Sequence, residues 1–335
     1  MKKITTQDIA DYLKISRNTV SRSLNDQPGV STQTKQTVLE AATMLGYDFA
    51  TDSPEPSPTQ PKQKIALIAT DFTLDLKSFF GVILSRLKHD LRQTDYQLEV
   101  LPVTAEMRDR LVLPVQLQQD SYAGIFVLSF ISNAYIEAII ALGRPTVLID
   151  HHSPTLNADS ILTENIDGTR IAINYLYTRG YRRIGFLGNT GFSPSYAERY
   201  IGFQNALAEH PDLISAPEHQ ITTIQEAYPN ELFAQLNALD QMPDVWFTVN
   251  NGYASMLVTY LQGSGYQIPA DVAILSFDDT DIAQVVTPKL TVIATDLDGM
   301  ADAAWIQLQR RAKDAESPNL YIRLLPTITP RDSTR

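Results

Sequence analysis

Hydrophobic positions recur along this chain with two different rhythms, and the change falls at a proline-rich stretch. In residues 1–49 they return every three or four positions, as on helices. Ile9, Ala10 and Leu13 give a first helix its apolar face; Thr5 is placed to cap it, with Asp8 three positions on to meet the exposed N–H groups. Ser16 caps a second helix, in which Val20 and Leu24 point inward one turn apart. Residues 25–29 (NDQPG) have turn chemistry. Ser31 caps a third helix with Val38, Ala41, Ala42 and Leu45 inward and Gly46 as its stop. Three helices with so small a core form a self-contained head, and two short helices joined by a tight turn suit a DNA major groove.

Residues 50–63 read ATDSPEPSPTQPKQ, with prolines at 54, 56, 58 and 61. Proline at that density excludes a helix or strand interior and predicts an extended spacer. Beyond it the rhythm becomes continuous apolar runs, at 65–69, 98–103, 124–128, 146–149, 184–187, 245–249 and 272–277. Amphipathic stretches lie between them at 79–92, 170–179, 199–209 and 253–263. Such alternation predicts parallel strands buried on both faces. The length exceeds one compact sheet and predicts two doubly wound lobes.

Composition narrows the chemistry. The 335 residues contain no cysteine, which excludes disulfides and thiolate sites. No apolar run is long enough to cross a bilayer, and no secretory leader is evident, so the expected setting is cytoplasmic with no membrane partner. Net charge is -11, yet residues 1–49 hold six basic and five acidic residues, leaving 21 basic against 33 acidic elsewhere. A mildly basic head on an acidic body is oriented head first by phosphates. His151-His152 is the only histidine pair, and neighbours on a loop seldom face one metal. No HExxH, GxxxxGK or GxSxG pattern occurs, so no catalytic residue, cofactor or metal is expected.

The residues Ile4, Thr5, Asp8, Ile9, Ala10, Ser16, Thr19-Val20-Ser21-Arg22 and Leu24-Asn25, then Val30-Ser31, Thr34, Val38, Ala41, Leu45 and Tyr47, carry a closer resemblance. In register over more than forty positions, they resemble the DNA-binding head of the lactose-repressor (LacI/GalR) family of bacterial regulators. The resemblance implies that Arg17, Asn18 and Arg22 read base edges: arginine matches guanine O6 and N7, asparagine adenine N6 and N7. It also implies phosphate contacts from Thr5, Ser21, Asn25, Ser31 and Thr34, through side chains and helix N-termini. For Ser16 and Ser31, capping and phosphate contact are both open.

The remaining chain is similar to that family's periplasmic-binding-protein-like body. Markers include Tyr122-Ala123-Gly124-Ile125, Gly180-Tyr181-Arg182-Arg183, Arg199, Gly202-Phe203, Asn250-Asn251 and Ser276-Phe277-Asp278-Asp279, and residues 329–335 match the terminal strand. The expected architecture is thus an all-α three-helix helix-turn-helix head (1–49), the linker (50–63), and an α/β body (64–335) of two parallel-sheet lobes. The first lobe is expected at about 64–163 and 293–323, the second at about 164–292 and 324–335. In such a body a small-molecule effector sits between lobes, at strand C-termini. That nominates Phe72, Thr73, Ser129, Phe130 and Asp150, which follow strands, and Arg199 and Asn251 by resemblance, with Arg199 at a helix start. Asn251 stands where aspartate is usual. A homodimer on a pseudo-palindromic operator is implied, with a sugar or sugar phosphate as effector. A nucleobase, or control by a protein co-regulator, is the alternative.

One departure has a measurable consequence. Most family members place a hinge helix after the head, which inserts a leucine into the minor groove; here the segment is the proline-rich linker, with no leucine between Leu45 and Leu67. Bound operator is therefore expected to lack a strong central kink. Circular-permutation mobility of the complex tests this, and a sharply position-dependent shift would contradict it.

Overall fold

The computed structural model describes residues 4–24, 30–45, 47, 62–119, 121–129 and 131–335. Most of the linker, together with Gly46, the nominated Asn25 and the nominated Phe130, therefore lies outside the described residues. The chain divides into two units, residues 1–61 and 62–335.

The head consists of α1 (Thr6–Leu13), α2 (Arg17–Leu24) and α3 (Thr32–Leu45). Ile9, Ala10, Val20, Val38, Ala41 and Ala42 are buried together, as their spacing predicts. Tyr47 joins them from beyond the last helix, and Leu13, Leu24 and Leu45 pack half-buried around the edge.

The body begins with β1 (Gln63–Thr70), one residue inside the expected linker, because the Gln63 N–H bonds the Asp95 carbonyl at 2.9 Å. The chain continues through α4 (Asp71–Asp75), α5 (Phe80–Leu91), β2 (Tyr96–Val103), α6 (Ala105–Asp109) and α7 (Val115–Gln119). Next come β3 (Tyr122–Leu128), α8 (Asn133–Ile140), β4 (Thr146–Ile149) and β5 (Asp159–Thr163). It then passes to α9 (Asn165–Thr178), β6 (Ile184–Leu187), α10 (Pro194–Glu209), β7 (Gln220–Ile221), α11 (Pro229–Asn237), β8 (Val245–Thr248) and α12 (Asn251–Gly263). The remainder is β9 (Ala273–Phe277), α13 (Asp281–Val285), β10 (Thr291–Ala294), α14 (Leu297–Lys313), β11 (Tyr321–Leu324) and β12 (Thr327–Thr329).

Two six-stranded sheets result, in the orders β11-β5-β4-β3-β1-β2 and β12-β10-β9-β8-β6-β7. Every pairing is parallel except β12 on β10. The chain passes between sheets three times: after β5, after β10 and after β11. The second passage falls after Ala294 rather than at 292/293, because β10 completes the second sheet before α14 returns to the first. The third falls after Leu324, one residue beyond the expected limit. The terminal strand also differs from the sequence reading, ending at Thr329 where 329–335 was expected. The tail is pinned by single contacts instead: Ile274 N–H donates to the Ser333 carbonyl at 2.9 Å, and Thr291 N–H to its hydroxyl at 2.8 Å.

Two helices start earlier than their apolar periodicity indicates. Glu164 caps α9, and Ser193 caps α10 with Pro194 in the first turn, where a missing N–H costs nothing. The two helices pack closely where α10 carries Gly202; a Cβ there would lie 2.8 Å from Thr169 Cβ and would collide with the Ile166 carbonyl. That contact fixes α10, and with it the side chains one turn earlier.

Arg311 of α14 ties the first sheet together from its edge. Its Nε and Nη2 bond both carboxylate oxygens of Asp159, at 2.8 and 3.0 Å, and Nη1 donates to the Ala315 carbonyl at 2.9 Å. Leu320 N–H also reaches Asp159, at 2.7 Å, leading the chain into β11 beside β5. Burial pushes the Asp159 carboxyl up, but bonds from Arg311 and the Leu320 N–H outweigh it and hold the carboxyl below its ordinary value. Arg311→Met strands a buried carboxylate and is expected to cost about 3–5 kcal/mol in urea unfolding of the body. Adding Asp159→Leu should recover most of the loss. Because the folded value is depressed, the contribution of Asp159 is present above pH 3.8 and lost as acid protonates it.

Candidate functional site: a helical reading face and an interlobe cleft

In the head, α1 opens with a reciprocal cap: Asp8 N–H donates to Thr5 Oγ1 at 3.3 Å, and Thr5 N–H to the Asp8 carboxylate at 2.8 Å. Ser16 accepts from Thr19 N–H at 3.0 Å to cap α2, and Ser31 accepts from Thr34 N–H at 3.2 Å to cap α3. Capping thus occupies Thr5, Ser31 and Thr34 within the protein, and their phosphate role would be additional. On α2, Val20 and Ser23 are buried, so positions 17, 18, 21 and 22 share the opposite side. Arg17, Asn18 and Arg22 are exposed there, with Ser21 partly covered between them. Arg17 Nε donates to Thr6 Oγ1 at 3.3 Å, which steadies the first of these side chains against α1.

In the body, the residues after β3, β4 and β9 all adopt left-handed backbone: Ser129 (φ 68°), Asp150 (φ 57°) and Asp278 (φ 70°). None is glycine, so each turn carries strain of about 1–3 kcal/mol, a cost that concentrates at functional positions. Their N–H groups bond the neighbouring strand, Ser129 to Ile149, Asp150 to Ile161 and Asp278 to Ile293, at 2.8–2.9 Å. The turns therefore hold these side chains at the C-terminal ends of the strands.

Arg199 is not at a helix start, as its periodicity implied. It lies in the second turn of α10 and is 2% exposed, so its charge is not a surface one. Its Nε donates to Asn165 Oδ1 at 2.9 Å, and Nη1 and Nη2 reach the Asp278 carboxylate at 3.2 and 3.3 Å. Nη1 also donates to the Val249 carbonyl, and the guanidinium lies 3.7 Å above the Phe277 ring. Burial raises the Asp278 carboxyl, and Arg199 works against that rise.

Asp150 is half-buried, and among the described residues only the Ser195 hydroxyl is bonded to its side chain, at 3.3 Å. Burial pushes its carboxyl up to about 7, against the pull of Arg199 and with a push from Asp278. Ser195 lies on α10, so this contact joins the two lobes. A second junction runs through Glu198, which accepts from Asn165 at 2.8 Å and Arg323 at 3.1 Å, with His152 Nε2 at 2.9 Å. Burial raises the Glu198 carboxyl, but these partners together hold it below its ordinary value. His151 faces away, bonded to Asn133 at 3.1 Å; burial, with His152 adjacent, takes it down to about 4. No cluster of metal-ligating side chains occurs among the described residues.

The other nominees divide. Phe72 is 60% exposed, and meets Phe192 of the other lobe edge to face at 6.3 Å; Phe192 in turn packs on Tyr196 at 5.4 Å. Thr73 is buried and spent on the Thr70 cap, its hydroxyl 2.8 Å from that of Thr70. Asn251 is engaged within the protein. Its amide donates to Ser276 Oγ and to the carbonyls of Phe277 and Asp278 at 2.9–3.0 Å, and its oxygen accepts twice from Thr280, at 2.9 and 2.8 Å. It builds the turn that presents Asp278. Sequence reasoning missed Asp278, Asn165, Ser195, Glu198 and Phe192. Only the acid pair directly after an apolar strand, Asp278-Asp279, carried a readable signal.

Beside this cluster is a cavity of about 450 Å³ with walls from both lobes: Lys77, Ser78 and Val82, then Asp279 and Asp281, then the crossover 294–298. Thr295 of its wall donates to Asp278 at 3.4 Å, so cavity and cluster adjoin. The volume suits a small polar ligand. A second hollow, of about 470 Å³, lies along α5 and borders the first at Lys77, Val82 and Asp298.

Asp150→Asn removes the under-bonded carboxylate while keeping its shape. The folded carboxyl titrates near 7 and the ordinary one at 3.8, so the charge opposes folding most above pH 7. The variant is expected to melt several degrees higher at pH 8, with the gain vanishing as pH falls towards 3.8. Calorimetry across pH measures this; a gain independent of pH would exclude titration of Asp150 as its cause.

Comparison with known proteins agrees with this arrangement. Residues 5–48 match bacterial regulatory proteins of the lacI family, and residues 173–334 match the periplasmic binding protein-like domain. The NTD biosynthesis operon regulator NtdR of Bacillus subtilis is 25% identical over 338 residues, 98% of this chain and 99% of that protein. The regulator GalS of Salmonella typhimurium is 28% identical over 307 residues, 90% of this chain and 88% of that protein. The solved complex of the transcriptional regulator CelR with cellobiose has the same fold, with a TM-score of 0.70 at 21% identity over 99% of this chain and 100% of that one. The chain therefore carries a DNA-binding domain of the lacI family of bacterial regulatory proteins at residues 5–48 and a periplasmic binding protein-like domain at residues 173–334.

Proposed function

We propose that the protein is a sequence-specific transcription regulator, a repressor, whose hold on operator DNA is set by a sugar bound between the lobes. The observation that carries the reading is the exposed Arg17-Asn18-Arg22 face of α2, opposite the buried Val20 and Ser23. A helix eight residues long, capped at its start and backed by two others, is a rigid mount for three side chains able to bond base edges. Thr5, Ser21, Asn25, Ser31 and Thr34 flank it as phosphate-contact candidates. Two heads reading a pseudo-palindrome require a homodimer.

For the effector, the reading rests on what Asp150, Ser195, Arg199 and Asp278 offer: paired acceptors and donors suited to hydroxyl groups, with exposed aromatic rings for an apolar sugar face. Ser129 stands at the neighbouring strand end. Similar proteins include a ribose operon repressor, the transcriptional repressor PurR and the regulator GalS. Sugar control is the reading that the exposed rings and hydroxyl-matching groups favour.

The test uses the full chain on a selected operator and on random DNA at one salt concentration. Arg22→Ala is expected to lose about 1–3 kcal/mol of discrimination while binding to random DNA changes little. Equal weakening on both would remove Arg22 from base reading. A thermal-shift panel of sugars then identifies the effector, since saturation at a hundredfold Kd adds about 2.7 kcal/mol. Operator titration with the hit reads whether it releases or promotes DNA binding.

A further inference from the structure

We propose that Glu198 is the positioning residue that ties Arg199 of the effector cleft to the lobe angle. It bonds two of the passages between the sheets directly, and Arg199 through Asn165. The proposal rests on the reading of the Arg199 cleft as the effector site and adds how its occupation reaches the junction of the lobes.

The passages after β5 and after β11 run side by side, with Glu164 N–H donating to the Leu324 carbonyl at 2.8 Å. Glu198 of α10, 8% exposed, bonds a residue of each. Its Oε2 accepts from Asn165, the first residue of α9, at 2.8 Å, and its Oε1 from Arg323 of β11 at 3.1 Å. Oε1 also meets His152 Nε2, in the loop after β4, at 2.9 Å. Burial opposes the charge of Glu198, but bonds from His152 and Asn165 and the charge of Arg323 outweigh it and keep the carboxylate ionised. His152 and Arg323 belong to the first lobe, whereas Asn165 and Glu198 travel with the second. A change of lobe angle therefore pulls the donors of one carboxylate apart. One arrangement satisfies all three donors, and a displaced first lobe forces another. A buried carboxylate that must exchange its partners is a two-state element.

Asn165 carries that state to Arg199. Its N–H groups go to Glu198 and to the Thr163 carbonyl, which leaves its oxygen for Arg199 Nε at 2.9 Å. The amide turned over would set N–H against N–H at Arg199, so acceptance by Glu198 fixes the orientation that Arg199 needs. Glu198 and Arg199 are consecutive on α10, an acceptor and a donor meeting opposite ends of one amide. A ligand that draws Arg199 away from Asn165 frees the amide to release Glu198, and the clasp on Arg323 and His152 shifts with it. Glu164, 3.8 Å from Arg323, is the carboxylate placed to take over that cation.

The full chain has no cysteine, so Gln116→Cys on α7 and Ala234→Cys on α11, both exposed, carry a spin-label pair across the lobes. Distances are measured without ligand, in labelled protein diluted with unlabelled chain. The parent is expected to give one narrow distribution. Glu198→Gln is expected to add a second, displaced maximum, because a side-chain amide sets N–H against one of the three donors. Arg323→Gln cuts the first-lobe arm at its half-buried end; it should do the same, and it serves if Glu198→Gln does not fold. A lower melting temperature with unchanged distances overturns the proposal and leaves an ordinary buried ion pair. Free hexoses, pentoses and disaccharides are then screened by melting shift, and operator affinity is measured with and without a saturating sugar. In the parent the two affinities are expected to differ at least about fivefold, and in Glu198→Gln under about twofold. A difference as large as the parent's also overturns the proposal. If no sugar shifts the parent, sugar control falls, and the ligand-free distances decide the role of Glu198.

Discussion

A guanidinium that is 2% exposed organises the ends of the second sheet. Unpaired, a buried cation would cost several kcal/mol, so its surroundings must supply acceptors from every side. For Arg199 these are a carboxylate after β9, a carbonyl after β8 and an amide at the start of α9. Bringing them together requires α10 to lie hard against α9, which Gly202 permits, and the chain after β9 to turn left-handed at Asp278. Asn251 holds that turn from behind with five hydrogen bonds. The cleft wall is thus a rigid consequence of housing one arginine.

Beside the Phe72–Phe192 ring contact, the lobes meet across this wall through polar contacts. Asp150 to Ser195 and Glu198 to His152 and Arg323 each pair a residue of one sheet with α10 of the other. Polar junctions of this kind are weaker than a packed apolar face and exchange readily for water or ligand groups. A body joined in this way can change its lobe angle when a ligand replaces one of these partners.

Elements built from local chemistry were legible in the sequence. The head helices announce themselves by caps within three residues of their partners, and the buried strands by runs such as 65–69 that need no distant information. The short strands β5, β7, β10 and β11 were not, since two to five residues with polar members such as Asp159 give no distinctive rhythm. In the site, Asp150 and Arg199 were identifiable, but the partners of Arg199 lie 34 and 79 positions away and only the fold brings them near. For Asn251 an amide suits a ligand contact and a turn brace equally well in sequence; the structure shows the brace. Thr73 is similar: in sequence, a hydroxyl packed on a helix cap looks like one that awaits a ligand.

The three passages between the sheets also bear on how such a gene can be recombined. The head core draws on residues 4–47 alone, so that segment is a transferable cassette. Neither lobe is. The first takes β11 and α14 from near the C-terminus, and the second borrows β12 from the last few residues. Any crossover point placed within the body divides at least one lobe between two parents. New combinations of operator and effector therefore arise by exchange at the proline-rich boundary, while effector preference itself must evolve by substitution within an intact body.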